Sequence, residues 1–138
     1  MRGTRGMRCA LAVLLILALS VGWGAALAAT RRSSDLIFNY TITGRAGDDG
    51  KVYFTAKIET YDYVDRLGFS AIHVYDEAGN IKKSAYSQYA SNTWSHSYTI
   101  TYDGIPGEKY RVHVTFYAKD GSIVDSGKTR WSSYVTAE

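Results

Sequence analysis

The chain has 138 residues, room for a single domain. Lysine and arginine outnumber aspartate and glutamate 16 to 13, but the whole excess is Arg2, Arg5 and Arg8, so residues 29–138 carry no formal net charge. A neutral body whose basic residues include only pairs such as Arg31-Arg32 and Lys82-Lys83 argues against a nucleic-acid partner, which needs a clustered basic face.

Those three arginines precede an apolar run, Ala10 to Val21, and then the small residues around Ala26-Leu27-Ala28. A basic segment, a short apolar core and a small-x-small site are the order of a secretory signal peptide, and the expected cleavage follows Ala28. An uncleaved anchor is the competing reading, because Cys9 to Ala29 nearly reaches the length of a membrane span. The short apolar core and the Ala-x-Ala site favour cleavage, hence a secreted or cell-surface protein with no membrane segment after processing. The single cysteine, Cys9, lies inside this segment and ahead of its apolar run, so it fits neither a disulfide of the processed chain nor a lipoprotein signal. An exported domain without disulfides must be held by its core, and about 110 residues can bury roughly two-thirds of their unfolded surface. Cysteine avoidance fits a bacterial origin, which makes the sequon Asn39-Tyr40-Thr41 a weak signal. The expected organisation is a signal-peptide helix over 1–28, a polar, disordered lead-in over 29–35, and one domain over 36–138.

Within that domain a first strand is expected where Leu36, Phe38, Tyr40 and Ile42 alternate with polar or opposite-facing residues. Gly44 to Gly50 has the composition of a turn, and Val52, Phe54, Ala56 and Ile58 define a second strand. Tyr61 to Arg66 reads as a connection. In the third strand, Leu67 to Tyr75, the apolar parity switches between Phe69 and Ile72, which predicts a bulge near Ser70 and Ala71. A turn at Asp76 to Asn80 leads to the polar stretch Ile81 to Ala90, expected to be an edge strand guarded by Lys82 and Lys83. Trp94 to Tyr102 resumes the alternation. The clearest pattern follows: Tyr110, Val112, Val114, Phe116 and Ala118 fall on every second residue, giving a strand with one buried face. Lys119 to Ser122 is a hairpin turn, and Ile123 to Val135 a last strand interrupted near Gly127. About seven short strands with no helical periodicity predict an all-β, antiparallel two-sheet sandwich.

The stretch Pro106-Gly107-Glu108-Lys109-Tyr110-Arg111-Val112-His113-Val114 resembles the entry to the sixth strand of fibronectin type III and other immunoglobulin-like domains. In those domains a tyrosine at this place bonds back to the preceding loop, and the resemblance implies the same tyrosine-corner role for Tyr110. The chain departs from the pattern in having no tryptophan in its third strand. It is also similar to small exported proteins of Gram-positive bacteria with no known function, through Tyr-Arg-Val-x-Val-Thr followed by a Lys-Asp-Gly turn. That likeness implies secretion and a sandwich, and no activity.

No catalytic signature stands out. Serines such as Ser70, Ser84 and Ser95 lie outside any Gly-x-Ser-x-Gly turn. The pairs Asp48-Asp49 and Asp62/Asp65 read as solvated turn residues, without the shaped cleft that glycoside hydrolysis needs or the ligand set of a calcium loop. His73 and His113 are expected side by side on one exposed face, with His96 on the opposite sheet, so no three-ligand metal site is expected. The expectation is therefore no enzyme, no cofactor and no metal. What is out of proportion is the aromatic content: 12 tyrosines and 3 tryptophans, of which only Trp23 precedes the domain. Beyond Tyr40, Tyr98, Tyr102 and Tyr110, which the core can absorb, Tyr53, Tyr75, Tyr117 and Trp131 are the expected contact face for a protein or a glycan. The bland reading is that these rings serve strand propensity and cross-strand packing alone. A structural role, with copies pairing through edge strands, is the alternative, and the sequence leaves the oligomeric state open.

Overall fold

The computed structural model describes residues 35–138; the expected signal-peptide helix and nearly all of the lead-in lie outside them. The described residues form seven antiparallel strands in one open sheet. In chain order they are β1 (Ile37–Ala46), β2 (Lys51–Asp76), β3 (Ile81–Asp103), β4 (Lys109–Asp120), β5 (Ile123–Asp125), β6 (Thr129–Trp131) and β7 (Val135–Thr136). One 3-10 turn at Asp48–Gly50 is the only helical piece among them.

The all-β character expected from the alternation is present, but the strands are divided differently. Residues expected to form the second and third strands are one 26-residue strand, β2, and the fourth and fifth are one 23-residue strand, β3. The reason is pairing: β2 and β3 bond to each other from Lys51↔Asp103 to Tyr75↔Ile81, which carries the ladder past Tyr61 to Arg66, the expected connection. Instead of two separately bonded sheets, one hydrogen-bonded network is formed. The register slips between Glu59 and Val64, where Tyr61, Asp62 and Tyr63 stand exposed. The first half of β2 is flanked by β1 and the end of β3, and its second half by the start of β3 and by β4. β5, β6 and β7 are short pieces along β4, so the expected last strand is broken at 126–128 and again at 132–134.

Two irregularities decide which side chains turn inward. In β2 the pairing with β4 shifts between Phe69 and Ala71, so Ser70 is the extra residue, and Phe69 and Ile72 are both buried. The expected bulge is thus present. In β1 a second shift lies between Ile37 and Asn39; it buries Ile37 and leaves Phe38 46% exposed. The sequence pattern placed Phe38 inside, and a single extra residue reverses it.

One core joins all the long strands. Val52, Phe54 and Ile58 from the first half of β2 share it with Leu67, Phe69 and Val74 from the second half. The inward residues of β4, Tyr110, Val112, Val114, Phe116 and Ala118, are all buried as the alternation requires. The buried Asp125 accepts the N–H groups of Leu36 and Ile37, each at 3.1 Å, and the Lys128 ammonium at 2.7 Å. This carboxylate therefore ties β5 to the start of β1.

Candidate aromatic and histidine face

The outward residues of β4 alternate with its core residues, and their neighbours are set by register. His113 lies opposite His73 of β2 and opposite Trp131 of β6, while His73 lies opposite Ser84 of β3. The result is a row of four side chains across four strands, Ser84, His73, His113 and Trp131. The His73 Nδ1 and the Ser84 Oγ are 2.7 Å apart, a hydrogen bond that orients the imidazole. Burial, and then the charge of His73 facing it, hold the pKa of His113 below the ordinary histidine value.

Trp131, on β6, stands at one end of this row. Its ring lies 4.7 Å from the His113 ring and 4.9 Å from Tyr75, and the Arg111 guanidinium stacks on it at 4.1 Å. Three neighbours thus hold the indole in place, yet the residue remains 44% exposed. The same guanidinium lies 4.7 Å from the ring of Tyr134, so it sits between two aromatic planes. Arg111 makes no ion pair among the described residues, and its buried Nε has no hydrogen-bond partner. With the Nε covered, the donors this stacked guanidinium can offer are those of its terminal nitrogens.

Farther along the same strands, Gly68 of β2 lies opposite both Tyr89 of β3 and Tyr117 of β4. The two tyrosine rings meet at 5.0 Å, on either side of a residue with no side chain of its own. Arg66 approaches Tyr89 at 5.5 Å.

Of the four residues expected to make one contact face, the structure brings Tyr75 and Trp131 together, and sets Tyr117 on the same strand face in a separate pair with Tyr89. Tyr53 does not join them. It lies on the first half of β2, opposite Arg45 and Thr101, with the Arg45 guanidinium 4.1 Å over its ring. His73 and His113 are adjacent, and among the described residues no third metal-ligating side chain joins them. Arg111 and Ser84 were missed by the sequence reading. Arg111 was within reach of it, since it shares the outward parity of His113 and Tyr117; Ser84 was not, because β3 has no clean alternation. Tyr110, the other singled-out residue, is buried, and its hydroxyl accepts the Ile105 N–H at 2.9 Å.

Compared with known proteins, no family model matches the chain and no curated protein matches it in sequence.

Proposed function

We propose that this chain is an exported, non-enzymatic binding module that meets a protein or a glycan through the outer face of β3, β2, β4 and β6. The observation that carries the reading is the row from Ser84 through His73 and His113 to Trp131, with Tyr75 and Arg111 packed against the indole. Rings held on paired strands lose little entropy on contact, and their polar tips accept and donate hydrogen bonds. Export is supported by the basic, apolar and small-residue order of residues 1–28.

For the fold, the finer reading is that the slip in β2 turns the long ribbon so that its halves close on each other as two layers of an immunoglobulin-like, fibronectin type III-like sandwich. Supporting it are the ring contacts between Tyr40 of β1 and Phe116 of β4, 4.7 Å, and between Tyr102 of β3 and Tyr110, 5.2 Å. The Tyr110 to Ile105 bond supports the tyrosine-corner role.

In the full chain carrying Trp23→Phe and Trp94→Phe, Trp131 is the sole tryptophan and reports directly on this face. Its fluorescence is expected to change on titration with at least one member of a panel of wall and plant polysaccharides or with a captured protein partner. A flat response across the polysaccharides removes the glycan form of the reading.

A second reading, assembly through a sheet edge, is favoured by one observation: β3 pairs only with β2, which leaves its other edge without a partner strand among the described residues. Lys82, Lys83 and the positive φ values of Ser87 (53°) and Asn92 (49°) work against such pairing by charging and kinking that edge. Sedimentation that finds only monomer at high protein concentration would eliminate it.

A further inference from the structure

Resting on the binding-module reading, we infer that the Trp131 face is built for a carboxylated glycan, with the indole as the platform for a sugar ring and Arg111 as the partner of its carboxylate. The charge on this face is one-sided. The described side chains that form it, Arg111, His73, His113, Trp131, Tyr75, Tyr86 and Ser84, bring a guanidinium, two imidazoles, an indole, tyrosine rings and a serine hydroxyl, and no carboxylate is among them. Asp76, which follows Tyr75 directly, is engaged by the Asn80 N–H at 2.8 Å and lies 3.6 Å from the Lys82 ammonium.

Arg111 is the decisive group. Five of the eleven lysines and arginines among the described residues find an anion or a carbonyl: Lys128, for example, has Asp125 and Asp35, and Arg130 donates to the Tyr40 carbonyl at 2.9 Å. Among the described residues Arg111 meets only the faces of Trp131 and Tyr134, two rings where Arg45 and Arg66 have one each, and its Nε is buried and unpartnered. A guanidinium that stacks by its faces can still donate in its own plane, and with the Nε covered it is the terminal nitrogens of Arg111 that would meet a carboxylate. The indole is held by Arg111, His113 and Tyr75 and is 44% exposed, so an extended ligand can lie on it without entering a pocket. His113 beside it, and His73, Tyr86 and Ser84 farther along the row, bring imidazoles and hydroxyls that match the many hydroxyls of a polysaccharide better than the apolar anchors of a protein partner.

The test is binding of the full chain to polygalacturonate and to its fully methyl-esterified form, which has the same backbone without the charge, measured by titration calorimetry. The expected result is at least tenfold tighter binding of the free acid, weakened by salt. Arg111→Gln should abolish that preference, Arg111→Lys should restore only part of it, and Trp131→Ala should weaken both polymers alike. Thermal melts identify any variant that has failed to fold, and Arg111→Lys then carries the comparison. Equal affinity for the two polymers, or an acid preference unchanged in both Arg111 variants, overturns the carboxylate inference and leaves the glycan-binding reading standing. Absence of binding to either polymer, with Trp131 fluorescence flat across the neutral panel, overturns both.

Discussion

Single side chains set much of what this molecule can do, and Tyr110 is the clearest case. Its ring fills the core at the start of β4 while its hydroxyl takes the Ile105 N–H, so one residue closes both the core and the loop before it. Tyr110→Phe keeps the ring and leaves that N–H without its partner; a loss of about 1–2 kcal/mol is expected in urea unfolding. An unchanged midpoint would mean that the loop does not depend on the bond. The histidines make a prediction about pH. Burial first, and the charge of His73 second, lower the pKa of His113, and burial lowers that of His96. As pH falls through about 6.5 the unfolded chain therefore takes up protons before the folded one, and stability declines until the depressed folded values are passed. Melting at pH 5 should come at lower temperature than at pH 7, and His113→Gln should narrow the gap. Equal melting temperatures would contradict the assigned direction.

The strands, as elements, show where local pattern is enough and where it is not. In β4 the alternation alone identifies the buried face, because all five inward residues keep one parity from Tyr110 to Ala118. β2 needs more, since the Ser70 bulge changes its parity and Gly68 serves two neighbours at once. A Cβ on Gly68 would run into the backbone carbonyl oxygen of Gln88 in β3, so the close approach of the two strands requires glycine there. Gly68→Ala is expected to cost about 1–3 kcal/mol and to disturb the Tyr89–Tyr117 pair beside it. Chemical denaturation gives the first number, and tyrosine ring shifts in a proton NMR spectrum give the second. A variant as stable as the parent, with unmoved ring shifts, would show that β3 can retreat freely. The bulge was legible because the apolar parity breaks at Ser70; the slip at Phe38 was not, because Ile37 and Phe38 are both apolar and either can serve the core.

For the whole molecule, stability depends on tying early and late parts of the chain together without a disulfide. Asp125 is the main polar tie: one buried carboxylate satisfies the N–H groups of Leu36 and Ile37 and meets Lys128, which also reaches Asp35 at 3.2 Å. Burial works against the Lys128 charge, but its hydrogen bonds to Asp125 and Asp35 outweigh that and raise its pKa. Asp125→Ala strands two backbone donors and leaves Lys128 only the exposed Asp35, and a loss of about 3 kcal/mol is expected in thermal or urea unfolding. Hydrogen exchange should open first at Leu36 and Ile37; protection there equal to the parent's would sink the assignment. Period-two alternation is a property of a strand's own backbone, so the sequence by itself determined the all-β class, the buried face of β4 and the outward parity of His73 and His113. Which outward rings become neighbours is a matter of register between strands far apart in the chain, and only the tertiary structure decided it. Tyr75 met Trp131, Tyr117 met Tyr89, and Tyr53 was left with Arg45, because long-range hydrogen bonding between β2, β3, β4 and β6 aligns positions that no local pattern relates. The same pairing carried β2 and β3 unbroken through a polar stretch that reads as a loop, since a backbone bonded to a neighbouring strand stays extended whatever its side chains prefer.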